Sequence, residues 1–272
     1  MTDSSLDPAG KALEPLFEQS GLPRFDLPED LSRAYGGALG FERPRWFANF
    51  VASLDGVVAL PLEAESGHVI SGSNEADRFV MGLLRACADT IVLGAGTFRK
   101  ASRDLFAAES IYPRGKSAFG ELRQRLGLAP GPSLVVVTGS GALDLSAPAL
   151  DGATIVTTKE SAALLEPRVG ANTRVIALSS GPLQLGEVRK WLDDEGRRLV
   201  LTEGGPSLMA ELVRDRVLDE LFVTTSPTLF GRFRNDGRKS LTNGLDLGGV
   251  PLELMSLRRH GSYLFSRYAV GA

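Results

Sequence analysis

Apolar residues in this chain fall into short runs that alternate with stretches in which they recur at helical spacing. Trp46 to Ala52 is apolar except for Asn49 and reads as a buried strand, closed by the turn Ser53-Leu54-Asp55-Gly56. A short apolar piece follows, Val57 to Leu60, and then a glycine-containing segment, Glu65 to Gly72. Ser73 is the expected N-cap of the next helix, with Glu75 and Asp77 in its first turn. Its apolar stripe is Ala76, Phe79, Val80, Leu83, Leu84 and Cys87, and Arg78 and Arg85 lie off that stripe. Further strands are predicted at Thr90–Leu93, Ser133–Thr138, Thr154–Thr157, Val175–Leu178 and Leu221–Thr224. Helices are predicted around Phe119, Leu122 and Leu126, and around Leu185, Val188, Trp191 and Leu192. Leu252–Arg258 and Tyr263–Val270 read as an antiparallel hairpin turning near His260-Gly261.

The most informative stretch is Leu199 to Met209: a buried strand, then Thr202-Glu203-Gly204-Gly205, then a helix starting at Pro206. Glycines admit close approach to the backbone, and a helix start presents free N–H groups to an anion. Glu203 places a carboxylate at the end of this buried strand, where a turn needs no charge. Because strands and helices alternate, the fold expected is an α/β single domain with a mixed, mainly parallel sheet flanked by helices. The C-terminal hairpin adds an antiparallel edge. Residues 1–44 are broken by Pro8, Pro15, Pro23, Pro28 and Pro44 and read as an N-terminal extension of a domain spanning 45–272. Leu13, Leu16 and Phe17 could form one helical turn there. Arg232 to Leu245 is polar and basic and reads as a loop.

Composition narrows the function. Thirty Lys+Arg face 33 Asp+Glu, a formal charge of −3, so nothing drives the chain as a whole toward nucleic acid or an anionic membrane. No apolar run approaches the ~18 residues of a membrane span. The first ten residues do not resemble a secretory signal, and a single cysteine, Cys87, suits a reducing cytoplasm. Its place on the apolar stripe makes it a packing residue. Two widely separated histidines and one cysteine offer no zinc ligand set, so no metal is expected.

In an open parallel sheet, ligands sit beyond the carboxyl ends of the strands. Four strand ends carry polar or glycine-rich junctions: Ser53–Gly56, Gly94-Ala95-Gly96-Thr97, Thr138-Gly139-Ser140 and Glu203–Ser207. The Gly94 turn lacks the third glycine of a dinucleotide fingerprint, and no Gly-Lys-Ser/Thr P-loop is present. Taken singly, each junction reads equally well as a plain turn.

Their order along the chain resembles the reductase family of bacterial riboflavin biosynthesis, the C-terminal half of the bifunctional deaminase-reductase. The resemblance rests on Ala52–Gly56, Val69-Ile70-Ser71, Leu84-Arg85-Ala86, Ile91–Thr97, Thr202–Leu208, Asp219-Glu220-Leu221 and Pro227–Gly231. It implies a dihydrofolate-reductase-like fold and NADPH-dependent reduction of the ribosyl group of a phosphorylated pyrimidine. Reduction of dihydrofolate or another pterin, or cofactor binding without chemistry, are the alternatives. The resemblance places the nicotinamide near Val51 and Val69. The pyrophosphate would lie between Gly94, Gly96 and Thr97 on one side and Gly204, Gly205, Pro206, Ser207 and Leu208 on the other, with Thr138 and Ser140 at the adenosine 2′-phosphate. It assigns Asp55 and Glu203 as the catalytic carboxylates and Asn49, Ser53, Ser71 and Arg85 as substrate-binding residues, Arg85 toward the phosphate. From the residues alone, Asp55 also fits as a turn residue and Arg85 as a solvated helix face. The chain departs from the family pattern at Asn49, where a lysine is frequent, and over Phe98–Asp104, where an Asp-Asp-Pro run is usual. The zinc ligands of the deaminase half are absent, so no deamination is expected. The family is commonly dimeric, and the apolar strand Tyr263–Val270 could form an interface or close the core.

Overall fold

The apolar run from Trp46 forms β2 (Arg45–Ser53), a central strand of a ten-stranded sheet in the computed structural model, which describes residues 6–61, 66–98, 106–231 and 237–271. The other strands of this sheet are β1 (Glu14–Glu18), β4 (Thr90–Gly94), β5 (Ser133–Val137), β6 (Thr154–Thr158), β7 (Arg174–Ser179), β8 (Leu199–Thr202), β9 (Glu220–Ser226), β11 (Leu252–His260) and β12 (Tyr263–Val270). They are ordered β1-β11-β12-β9-β2-β8-β4-β5-β6-β7, and β3 (Val57–Ala59) pairs separately with β10 (Lys239–Ser240). From β9 to β7 every pairing is parallel, and from β9 outward through β12 and β11 to β1 every pairing is antiparallel. The expected mixed, mainly parallel α/β sheet is the one observed.

Alternation along β2 explains why nearly all of it is apolar. Phe47 enters one core with α1 (Glu29–Tyr35), α3 (Glu75–Cys87) and α6 (Lys116–Arg125), while Trp46, Ala48 and Phe50 enter a second core with α8 (Leu185–Asp194) and α9 (Pro206–Arg214). A parallel strand covered on both faces needs apolar residues at both sets of positions. The remaining α-helices among the described residues are α2 (Ser66–Ser71), α4 (Ala95–Phe98), α5 (Ala108–Ile111) and α7 (Lys159–Leu165).

Several elements differ from the sequence reading. Leu13 to Phe17 is not a helical turn: Glu14–Glu18 forms β1, paired along the open edge of β11, while Leu13 is buried and Leu16 and Phe17 face outward. An edge strand tolerates Pro15, whose missing N–H costs no ladder bond there. The N-cap of α3 is Asn74 rather than Ser73. Asn74 Oδ1 accepts from the amides of Ala76 (2.9 Å) and Asp77 (3.1 Å), whereas Ser73 adopts a left-handed φ of 60°. The Glu65–Gly72 segment holds α2, and α7 was not anticipated; both are too short to show a full apolar period. The loop expected over 232–245 contains β10 in its described part, and residues 232–236 lie outside the described residues, as do residues 99–105 of the departing Phe98–Asp104 segment.

Residues 6–44 are integral to the main core. Leu31, Ala34, Tyr35, Leu39 and Phe41 are buried in it, and the Phe41 ring stacks on Phe47 with centroids 4.4 Å apart. Arg258, buried on β11, donates to the Tyr35 carbonyl at 2.9 Å and to Glu18 at 2.6 Å, with its guanidinium 4.0 Å from the Tyr35 ring centroid. Arg267 on β12 pairs with Glu220 on β9 at 2.7 Å and donates to the Gly40 carbonyl at 2.8 Å. Buried charges of this kind persist only when paired. β12 is an interior strand between β11 and β9; Phe265 enters the main core, while Leu264 is exposed.

If residues 6–44 belong to the core, Leu31→Ala should lower the unfolding free energy by about 2–5 kcal/mol, read from urea denaturation. A loss under about 0.5 kcal/mol, the size of an ordinary surface change, would show the segment to be peripheral.

Candidate active site

Because β2, β8, β4 and β5 are parallel neighbours, their carboxyl ends fall along one edge of the sheet. The junctions after these strands therefore meet there, as the sequence implied. At their centre is an ion pair. Arg85 Nε donates to Glu203 Oε1 at 2.8 Å and to Oε2 at 3.1 Å, and Arg85 Nη2 donates to Oε2 at 2.6 Å. The two side chains are only 6% and 8% exposed. The planar guanidinium matches both carboxylate oxygens, which makes this geometry strong and orientationally specific. Arg85 also lies 5.7 Å from the Phe106 ring centroid.

Local structure brings the pair together. Arg85 sits in the last turn of α3, where Leu84 and Ala86 are fully buried against the sheet. Glu203 is the first residue beyond β8. Since Leu201 enters the α3-side core, Glu203, two residues on, projects to the same face. The burial of Arg85 excludes a solvated helix face. Its Nε and Nη2 are engaged by Glu203, and Nη1 donates to the Ala107 carbonyl at 3.5 Å.

Asp55 is exposed, and its carboxylate is also engaged. It accepts from the Ser53 hydroxyl and from the amides of Phe230 (3.3 Å) and Gly231 (2.7 Å). The Ser53 hydrogen bond, followed by those amides, holds its carboxyl below the ordinary range. Asp55 thus ties the turn after β2 to the loop after β9. Ser53 closes the same turn by accepting from the Val57 amide at 2.9 Å. Ser71 is buried, donating to the His68 carbonyl at 3.3 Å, while its own carbonyl accepts from Tyr263 at 2.8 Å. Asn49 is buried on the α3 side, lining a small cavity with Tyr35, Val80, Thr224 and Arg267. Val51 packs on Val57 and Ile70, while Val69 is 41% exposed.

The glycine junctions divide by role. A Cβ on Gly204 would stand 2.9 Å from the Gly94 nitrogen and from Leu93 Cα, so Gly204 is required by the close approach of β8 to β4. Gly205 donates its amide to Thr97 Oγ1 at 2.6 Å, and a Cβ there would meet the same oxygen at 2.9 Å. Gly96 and Gly139 face open space. Pro206 opens α9, with Ser207 exposed beside it and held by Asn243 Nδ2 at 2.9 Å, and Leu208 packs near Gly94. Ser140 is exposed, and Thr138 is buried with its carbonyl bound by Thr157. Gly205 and Thr97 are thus in direct contact, and the open space at this junction lies beside Gly96.

Asp77 is the residue that sequence reasoning missed. Its position in the first turn of α3 suggested only a favourable dipole contact, yet it is 5% exposed and accepts from the Thr224 hydroxyl of β9. The available signal was its place directly after Ala76 and two residues before Phe79 on the buried stripe. Cys87 is fully buried and its thiol is pushed up to about 12, chiefly by burial, in keeping with a packing role. Among the described residues no cluster could hold a metal ion, and no helix is long and apolar enough to cross a membrane.

This architecture and its motifs have known counterparts. The chain is 28% identical over 192 residues to 2,5-diamino-6-ribosylamino-4(3H)-pyrimidinone 5′-phosphate reductase of Archaeoglobus fulgidus, an alignment covering 70% of this chain and 83% of the relative. A pyrimidine reductase-like protein from Corynebacterium diphtheriae superposes with a TM-score of 0.65 at 21% identity, covering 90% of this chain and 95% of that one. The deaminase/reductase of Thermotoga maritima gives a TM-score of 0.60 at 18% identity, covering 84% of this chain but only 57% of that longer protein. Residues 44–264 match the RibD C-terminal domain, and the chain belongs to that family, the riboflavin-biosynthesis reductases that its strand-end motifs resemble.

Proposed function

We propose that this protein is an NADPH-dependent reductase of a phosphorylated ribosylamino-pyrimidine. The observation that carries this reading is the buried Arg85–Glu203 pair, two peptide bonds from the Gly205 seat at the sheet's carboxyl edge. One ligand can lie on the glycines while another meets the carboxylate. Membership of a reductase family and the printed activity of the Archaeoglobus relative support it.

In this reading Gly94, Gly96, Thr97, Gly205, Pro206, Ser207 and Leu208 border the pyrophosphate, and Gly204 sets the strand spacing that leaves room for it. Val51 and Val69 flank the nicotinamide, and Gly139 and Ser140 lie toward the 2′-phosphate, with Thr138 holding their turn by its backbone. The bound cofactor supplies hydride, and the protein's part is to orient the substrate and manage the accompanying proton. Glu203, fixed by Arg85, accepts hydrogen bonds from ring N–H or amino groups and serves the proton transfer at the reacting sugar carbon. Arg85 acts as the orienting partner of Glu203. Asp55 and Ser53 shape the substrate side by holding the Phe230-Gly231 loop, and Asn49 and Ser71 support it from within. The reading includes a cytoplasmic protein, as the single cysteine suggests, and a homodimer, as the family resemblance implies.

Incubation with NADPH and the phosphoribosylamino-pyrimidine, in its diamino and deaminated forms, should bleach the NADPH absorbance. Oxidation with dihydrofolate and with neither pyrimidine would reject the reading. Gly205→Val should abolish cofactor binding, measured by fluorescence titration, because a branched side chain enters the seat and strikes Thr97; retained affinity would move the pyrophosphate elsewhere. Glu203→Gln should leave NADPH affinity within about threefold but reduce kcat by about a hundredfold, the usual range for loss of a general acid or base. Wild-type turnover in that variant would remove Glu203 from the chemistry.

A further inference from the structure

The two members of the buried pair are joined by more than their own hydrogen bonds. Arg85 lies four residues before Asp89, which follows the end of α3, and Glu203 lies four residues after Leu199, the first residue of β8. Asp89 and Leu199 meet. Asp89 Oδ2 accepts from the amides of Arg198 at 2.6 Å and Leu199 at 2.9 Å, and the Asp89 amide donates to the Leu199 carbonyl at 3.0 Å. The chain therefore closes a circuit, with the Arg85–Glu203 ion pair at one end and the Asp89–Leu199 clamp at the other. Arg123, buried on α6, stiffens the helical arm of this circuit. Its Nη1 donates to the carbonyls of Arg85 (3.1 Å), Ala86 (3.2 Å) and Ala88 (2.7 Å), in the turn where α3 runs out of its own donors. Its Nε donates to the Ala129 carbonyl at 2.6 Å.

The strand arm needs a clamp because its own pattern does not fix its register. Leu199 and Leu201 enter one core and Val200 the other, so β8 displaced by one residue would still present apolar side chains to both. It would, however, turn Glu203 to the face of the sheet opposite Arg85. Along a strand successive amides point to opposite sides. Two of them converge on one carboxylate oxygen only where the chain turns into the strand, so Asp89 marks where β8 begins. We propose that Asp89 is a positioning residue for the Arg85–Glu203 pair: it registers β8 against the last turn of α3 and so holds the Glu203 carboxylate in place for the substrate. This rests on the reductase reading above, in which Glu203 serves the chemistry. Asp89 stands at the amino ends of β4 and β8 and Glu203 at the carboxyl end of β8, so Asp89 acts through the strand, away from the reacting atoms.

Asp89→Ala removes the clamp and leaves both members of the pair in the chain. Its kcat should fall by about ten- to a hundredfold, the range that misplacement of a reacting group produces, while NADPH affinity stays within about threefold. Asp89→Asn keeps an oxygen that accepts from both amides, so kcat should recover to within about threefold of wild type. In a Glu203→Gln background, Asp89→Ala should lower kcat by less than about twofold further, because residues that act as one unit are not additive. A loss of full size in that background, or NADPH affinity that falls with kcat, marks general damage to the fold and would overturn the proposal. If the alanine variant does not fold, Asp89→Glu, whose carboxylate stands one methylene further out, goes through the same cycle with the same expected outcome. Hydrogen exchange at the Arg85 Nε–H, followed by NMR, gives a readout independent of turnover. In Asp89→Ala it should quicken by about tenfold or more, while the Nε–H of Arg258 on β11, bonded to the Tyr35 carbonyl at 2.9 Å, keeps its wild-type rate. Equal changes at both arginines, or none at Arg85, would also overturn the proposal. If the wild type oxidises no NADPH with either pyrimidine, the reductase reading fails, while the exchange measurement still decides whether Asp89 holds the pair.

Discussion

The contact on which the site depends is the buried pairing of Arg85 with Glu203. A guanidinium and a carboxylate lose hydration when buried, and their attraction compensates only with near-ideal geometry. Three N–H···O contacts between 2.6 and 3.1 Å supply it. The requirement acts on the whole fold. Helix α3 must cross the sheet so that its last turn reaches the end of β8, and the stripe from Ala76 to Cys87 secures that crossing by burying one face completely. An error of one residue in the register of either element would separate the charges and leave both buried without partners.

A second constraint sits one peptide away. Gly204 lets the β8–α9 junction come within 2.9 Å, measured from an added Cβ, of the β4 backbone, and that approach brings the Gly205 amide onto Thr97 Oγ1 at 2.6 Å, with open space beside Gly96. The charge and the glycines thus divide one junction into two surfaces. The carboxylate belongs to the α3 side, and Gly205 with the start of α9 belongs to the other. In the proposed reading cofactor and substrate meet at this junction, because a strand's residues alternate faces while its end opens to both.

Much of this was legible beforehand, for identifiable reasons. β2, β4, β5, β8 and β9 announce themselves as short apolar runs because parallel strands are covered on both faces. The stripe of α3 follows the helical period throughout its length. Glu203 stood out because a carboxylate after a buried strand has no use in a turn. Other features leave weaker traces. α2 and α7 are shorter than the window over which periodicity can be counted, and β1 depends on an edge offered by β11, more than two hundred residues later in the chain. Residues 6–44 looked like an appendage because prolines break their pattern, yet Leu31, Tyr35 and Phe41 complete a core whose other members lie far along the sequence.

The sequence by itself determined the alternating α/β order, the buried strands, the glycine junctions at their carboxyl ends and the family to which those motifs belong. These follow from local periodicity and from backbone conformations that few residues permit. Tertiary structure alone decided how the charges are spent. Arg85, read as a phosphate ligand or a solvated residue, is the partner of Glu203. Asp55, read as catalytic or as a turn residue, latches the Phe230-Gly231 loop, and Asp77, read as a helix-end charge, lies buried against Thr224. A charged residue's role is set by what faces it across space, and pairs separated by 118 or 176 positions in the chain carry no local pattern that could reveal their partners.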